Sequence, residues 1–181
     1  MNRLVFEKYA DAVYLSHLDL MRVFQRAFKR ADILIWHSQG FSPRAYVSIA
    51  LPLPVGTESR CEILDFEIEA GSVELSKLPD RLNAVLPAGI RVLQAFESTR
   101  KVKELTRLQA EVTLEYDGGI PEGAQKALAA FFMQQSIVIT KHSKKGDKEL
   151  DIKPLIYSMT LAAVSQRELR LDCVLSAQNP G

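Results

Sequence analysis

The sequence predicts an α+β chain of tandem ferredoxin-like (split β-α-β) units with antiparallel sheets, the second unit left incomplete. Three observations predict it. Stretches of alternating apolar residues and stretches with apolar residues at helical spacing follow in the order β-α-β-β-α-β, with one extra strand, through residues 1–103. After the polar link T-R-K-V-K-E-L-T-R (99–107) the pattern of strand, helix and strands begins again. The last strand then runs into Asn179-Pro180-Gly181 with no helix and strand to complete the second unit, so a truncation is expected there. Units of 1–103 and 104–181 follow.

Taken in order, N-R-L-V-F-E-K (2–8) reads as a first strand. Ser16 offers an N-cap with Asp19 three residues on, and Leu20, Val23, Phe24, Ala27, Phe28 and Ala31 follow at helical spacing, so a helix is expected over 18–31. Ile33–Trp36 resumes as a strand, Gly40 and Pro43 punctuate a turn, and 45–53 is a strand that Pro52 and Pro54 push to an edge. Residues 60–70 alternate, with Cys61, Ile63, Phe66 and Ile68 expected inward and an irregularity near Leu64. Residues 73–87 read as a helix interrupted or restarted at Pro79, and 89–98 as a strand. In the second unit, 108–117 is a strand and 121–135 a helix opening on Pro121. Strands follow at 136–143, 149–164 and 169–176, the 149–156 part being an edge strand ended by Pro154.

Composition bounds the function. With 181 residues, 47% hydrophobic and 25% charged, the chain is that of a globular protein, and no stretch approaches the roughly 18 apolar residues of a membrane span. No signal peptide pattern opens it, so a cytoplasmic location is expected. The net charge is only +1, which leaves attraction to a polyanion to local patches. Residues 1–60 carry 8 Lys and Arg against 5 Asp and Glu, whereas 61–100 carry 4 against 7. Cys61 and Cys173 stand alone, without metal-site spacing, and read as two buried thiols; neither a metal nor a cofactor is expected.

The basic first third holds the candidate site. On the helical wheel Arg22, Arg26, Lys29 and Arg30 share one side while Leu20, Phe24 and Phe28 take the other. Guanidinium groups spaced along a rigid helix suit phosphates, although a solvated basic face has the same pattern. The turn S-Q-G-F-S-P-R (38–44) adds Gln39, Gly40, Phe41, Ser42 and Arg44: an aromatic able to stack on a base, a glycine whose neighbouring N–H groups can meet an anion, and a cation. A plain hairpin needs none of Phe41, Ser42 or Arg44. His17, just inside the helix cap, is the candidate acid or base, with a capping or packing role as its alternative. The Lys-rich segment 141–149 reads as a solvated loop.

Five blocks, S-H-L-D-L-M-R, R-A-F-K-R-A, S-Q-G-F-S-P-R, L-P-L-P-V-G-T-E-S and K-E-L-D-I-K-P-L-I, occur in register over about residues 2–156. Together they resemble the uncharacterised bacterial radical-SAM-associated (radical-SAM-linked) protein family. The resemblance implies an accessory or substrate-presenting module whose partner is a cobalamin-binding radical SAM protein, encoded near genes for ribosomal proteins and ribonuclease E/G. The cluster motif C-x-x-x-C-x-x-C is absent from this sequence. The expectation is a non-catalytic module that binds RNA (tRNA or rRNA) or docks the partner enzyme, with no role on DNA or membranes. The alternative is a metal-independent ribonuclease or RNA-modifying enzyme using His17, by analogy with duplicated ferredoxin-like repeat-processing endoribonucleases. A third option is a small molecule, such as a nucleotide, held at the Gly40–Arg44 turn.

Overall fold

The computed structural model describes residues 1–39, 41, 43–69, 73–142 and 146–177, a mixed α+β chain with three α-helices and antiparallel sheets among them. Two units form, Met1–Val102 and Lys103–Gly181.

In the first unit the strands are β1 (Asn2–Lys8), β2 (Val47–Ile49), β3 (Ser59–Phe66) and β4 (Ile90–Glu97), in the spatial order β2-β3-β1-β4. Helices α1 (His17–Arg30) and α2 (Leu78–Asn83) lie between the first and second and between the third and fourth of these strands. Both pack on one face of the sheet. Leu20, Phe24 and Phe28 of α1 and Leu78 and Leu82 of α2 share a core with Leu4, Phe6, Leu64, Phe66, Ile90 and Val92. Phe24 meets Phe6 edge-on at 4.7 Å between ring centres, and Phe28 meets Phe66 at 5.0 Å. Each such ring removed from water contributes on the order of 1.5–3 kcal/mol.

Local chemistry fixes the ends of α1. Ser16 Oγ accepts the Asp19 N–H at 3.2 Å, the N-cap bond, and donates to Asp19 Oδ2 at 2.7 Å. At the other end the N–H of Ile33 reaches back to Phe28 O (2.9 Å) and that of Asp32 to Lys29 O (3.2 Å), a Schellman closure. Asp32 takes the left-handed conformation it requires, with φ 54°. The Arg81 guanidinium, from α2, donates to the carbonyls of Ala31 and Asp32.

Several sequence expectations shift here. The helix expected over 73–87 contracts to a 3-10 turn, Leu75–Lys77, and α2. The strand expected over 45–53 contracts to β2, because the chain turns at Leu51 (φ 46°) before Pro52. Inward positions of β3 are Glu62, Leu64 and Phe66 rather than Cys61 and Ile63, and its pairing with β1 is continuous through Leu64. A buried carboxylate occupies the inward phase, so Cys61 is exposed while only Cys173 is a buried thiol.

On the other face of β1 and β3, cross-strand neighbours Arg3 and Asp65 form a buried two-point ion pair, Nε–Oδ1 2.6 Å and Nη2–Oδ2 2.9 Å. Arg3 also donates to Arg100 O at 3.0 Å, which ties down the chain after β4. The outer edge of β4 is blocked by a side chain: Asn83 accepts the Val92 N–H (2.8 Å) and donates to Val92 O (2.9 Å), as a neighbouring strand would.

The second unit has strands β5 (Arg107–Glu115), β6 (Val138–Lys141), β7 (Lys148–Asp151), β8 (Ile156–Ala163) and β9 (Glu168–Ser176), and helix α3 (Ala124–Met133). The sheet order is β5-β9-β8, and β6 pairs with β7 as a separate hairpin. A split β-α-β unit would bring the strand after its helix into the sheet of β5; here that strand pairs locally instead. Asp151, in the K-E-L-D-I-K-P-L-I block, accepts the N–H groups of Ile137 (2.8 Å) and Lys153 (2.9 Å) and the Ser136 hydroxyl (2.9 Å). Those backbone bonds hold its carboxyl below the usual range. Lys153 Nζ in turn donates to Phe132 O at the end of α3.

Two substitutions test this frame by chemical unfolding. Gly89 adopts φ +84°, and a Cβ there would stand 2.5 Å from Tyr9 O and 2.8 Å from Ala12 Cβ, so Gly89→Ala is expected to cost about 2–4 kcal/mol. Asp65→Ala removes the carboxylate that neutralises the buried Arg3 guanidinium and is expected to cost about 3–5 kcal/mol.

Candidate functional site

The connection from α1 to β2 builds the candidate surface. Beyond the pairing of Val47 with Phe66, strands β2 and β3 splay, and residues 34–37 enter the gap. Trp36 is bonded on both sides: its N–H donates to Glu67 O (2.8 Å) and its carbonyl accepts the Tyr46 N–H (2.9 Å). The Glu69 N–H bonds Leu34 O (3.0 Å), and the Ser38 N–H bonds Arg44 O (2.9 Å). The segment expected as a strand of its own is thus a wedge, held through the bridges Ile35–Ile68 and His37–Ala45. Gln25 of α1 donates to Ala45 O at 2.9 Å and fastens the wedge to the helix.

Register then dictates facing. Ile33 and Ile35 are buried in the core that α1 covers, so Leu34 and Trp36 point to the opposite side of the sheet and stay 59% and 38% exposed. Tyr46 and Glu67 lie directly across from Trp36 on its two neighbours, which sets Tyr46, Trp36 and Glu67 in one row. The Tyr46 ring meets Trp36 edge-on, 6.0 Å between centres and 72° between planes. Arg44, two residues before Tyr46, belongs to the same face and is exposed, as is Glu67.

The sequence candidates divide between surfaces. Arg22, Arg26, Lys29 and Arg30 line the solvent side of α1; Arg22 is tied to Asp19 at 2.9 Å, and the other three make no ion pair among the described residues. Hydrogen bonds from Ser16 and Arg22 hold the Asp19 carboxyl below its usual range. Gln39 is exposed and Phe41 fully so, while Gly40 and Ser42 lie outside the described residues. His17 opens α1 thirteen residues before Arg30, about 20 Å along the axis, and is not brought to the turn. Its Nδ1 is buried without a hydrogen-bond partner among the described residues. No cluster of three or more His, Cys, Asp or Glu able to hold a metal occurs among the described residues.

Two groups escaped sequence reasoning. Lys8, only 1% exposed, and Glu62, 8% exposed, both occupy inward phases of their strands, and Lys8 Nζ approaches Leu15 O at 3.4 Å just before the α1 cap. Burial pulls the Lys8 ammonium below its ordinary pKa against the pull of Glu62. Burial likewise pushes Glu62 up, against a Ser59 hydrogen bond and Lys8. Lys8 lines a cleft of about 220 Å³ together with Glu7, Tyr9, Glu58, Ser59 and Arg60. The i, i+2, i+4 series Leu4, Phe6, Lys8 was the available signal.

A family model described as an uncharacterized protein conserved in bacteria (DUF2344) matches residues 2–180. The chain belongs to the DUF2344 family. No curated protein matches it. Among the described residues of this DUF2344 chain, no helix is long and apolar enough to cross a membrane.

The inward carboxylate gives the DUF2344 fold a pH signature. Because the folded pKa of Glu62 lies above the ordinary glutamate value of 4.5, its contribution to stability is present below that value and is lost as pH rises through the folded pKa. Glu62→Gln is therefore expected to match the parent at low pH and exceed it at neutral pH in urea titrations. The pair K8M/E62L is expected to equal or exceed the parent's stability by up to about 4 kcal/mol.

Proposed function

We propose that this chain is a non-catalytic RNA-binding module, built on a ferredoxin-like first unit, that acts as an accessory to a cobalamin-binding radical SAM enzyme. The link to that enzyme rests on the five-block resemblance alone. RNA binding rests on one observation: Arg26, Lys29 and Arg30 stand exposed on a rigid helix with no acidic partner among the described residues, while Arg22, Lys77 and Arg170 are each paired. Three cations at i, i+3 and i+4 present their charge to whatever polyanion approaches, and phosphate neutralisation there makes affinity strongly salt-dependent. Lys29 and Arg30 also complement the negative end of the helix dipole; Arg26, a turn further in, gains less from it.

Fluorescence anisotropy with tRNA and with single-stranded RNA oligonucleotides between 50 and 200 mM salt is the direct test. The variant R26A/K29A/R30A is expected to keep its helical circular dichroism and melting behaviour, to bind more weakly, and to show a salt slope smaller by about 2, three contacts at roughly 0.7 each. Unchanged affinity and slope overturn the reading, and retention of the radical SAM protein without RNA binding replaces it with docking. Cleavage of labelled RNA in EDTA, abolished by His17→Ala, would instead establish the ribonuclease alternative.

A further inference from the structure

We infer that the Tyr46–Trp36–Glu67 row receives an unpaired guanine of single-stranded RNA, an inference that rests on the RNA-binding reading above and names what is read. Trp36 offers a partly exposed indole whose orientation is fixed twice, by main-chain bonds on both sides and by the edge of Tyr46. A planar base stacked on it would lie beside Glu67, directly across on the neighbouring strand at roughly 5 Å between Cβ atoms. The Glu67 carboxylate is exposed and makes no ion pair among the described residues. Ionised, it only accepts, through two oxygens side by side.

That acceptor pair selects among bases. Guanine alone carries two adjacent donors, N1–H and the N2 amino group, on its Watson–Crick edge. Adenine and cytosine set one amino group beside a ring acceptor, which a carboxylate repels, and uracil sets one N–H between two carbonyls. Arg44, on the same face beyond Tyr46, supplies the cation for the flanking phosphate, while Glu69 beside Leu34 repels phosphate from the other end of the row. A duplex hides both the base face and the edge, so the ligand is single-stranded. Such a strand can also pass round the end of the unit to the α1 cations, because only Ala31, Asp32 and Ile33 separate Arg30 from the wedge. An arginine side chain of a protein is likewise planar with paired donors; the Arg44 charge on this face disfavours it.

The experiment compares oligouridine strands carrying one central G, A, C or U, and a G-containing duplex, at fixed salt. The G strand is expected to bind about tenfold more tightly than the others and than the duplex, as one bidentate contact allows. Glu67→Gln, whose amide opposes a donor to a donor, is expected to erase the G preference with the salt slope unchanged. Trp36→Ala is expected to weaken all single strands, and Trp36→Phe to restore part of that loss; melting curves confirm that both fold. Equal affinity for the four bases, a G preference that survives Glu67→Gln, or an arginine peptide competing while G does not, overturns the inference. Salt-dependent RNA binding without base preference would leave the module reading standing, whereas no RNA binding at all removes both.

Discussion

Trp36 is held by its main chain before its side chain does anything. With Val47 paired to Phe66, the two strands part, and the peptide of Trp36 fills the gap by bonding Glu67 on one side and Tyr46 on the other. Continued past Val47, the register of the two strands would bond the Tyr46 N–H directly to the Glu67 carbonyl; the Trp36 peptide takes the place of that bond and satisfies both groups while bringing a third segment into the sheet. The same insertion sends Ile35 into the core against Ile68 and turns Leu34, Trp36, Tyr46 and Glu67 outward. One pairing decision therefore sets both the packing under the wedge and the chemistry above it.

Charge inside the first unit is managed in two different ways. Arg3 and Asp65 meet in bidentate geometry, and a third bond to Arg100 O uses more of the guanidinium's donors, so that pair is nearly self-sufficient. Lys8 and Glu62 form no ion pair within contact distance among the described residues; each is shifted first by desolvation, with Glu62 next for Lys8, and the Ser59 hydrogen bond and then Lys8 for Glu62. An incompletely compensated pair beside a cleft costs stability, and groups of that kind occur at sites of function as well as in structural networks. The contrast singles out the Lys8 end of the sheet as chemically less settled than the Arg3 end, and it lies at the α1 cap, away from the wedge.

What the sequence revealed follows the range of the interactions involved. The start of α1 at Ser16 and Asp19, its Leu20, Phe24 and Phe28 face and its cationic back depend on neighbours within four residues, and they were legible. The connection after α1 was not. Trp36 pairs with Glu67, thirty-one positions away, so no local pattern distinguishes a wedge from a strand, and Glu67 acquires meaning only once that register is known. Phase failed at β3 for a related reason: Glu62 sits inward near Lys8, and a rule that places apolar residues inside must then favour Cys61 and Ile63. In the second unit, the hairpin of β6 and β7 draws the strand after α3 away from the sheet that a split β-α-β pattern requires.

The cations of the first unit are graded along α1. Near its start, Arg22 is neutralised by Asp19, which the helix cap needs in place, so the charge there is spent on folding. Near its end, Arg81 reaches across from α2 to the carbonyls of Ala31 and Asp32 and already supplies the positive charge that the helix terminus favours. Lys29 and Arg30 add their charge to the same terminus and face solvent, and Arg26 joins them one turn back. The unneutralised charge thus accumulates at the end of the helix from which the chain enters the wedge, where Arg44 lies on the other face. On the RNA-binding reading proposed above, a ligand drawn to that end by its phosphates would meet the exposed aromatic row next, and a flexible single strand is the polyanion whose shape would let it follow both surfaces.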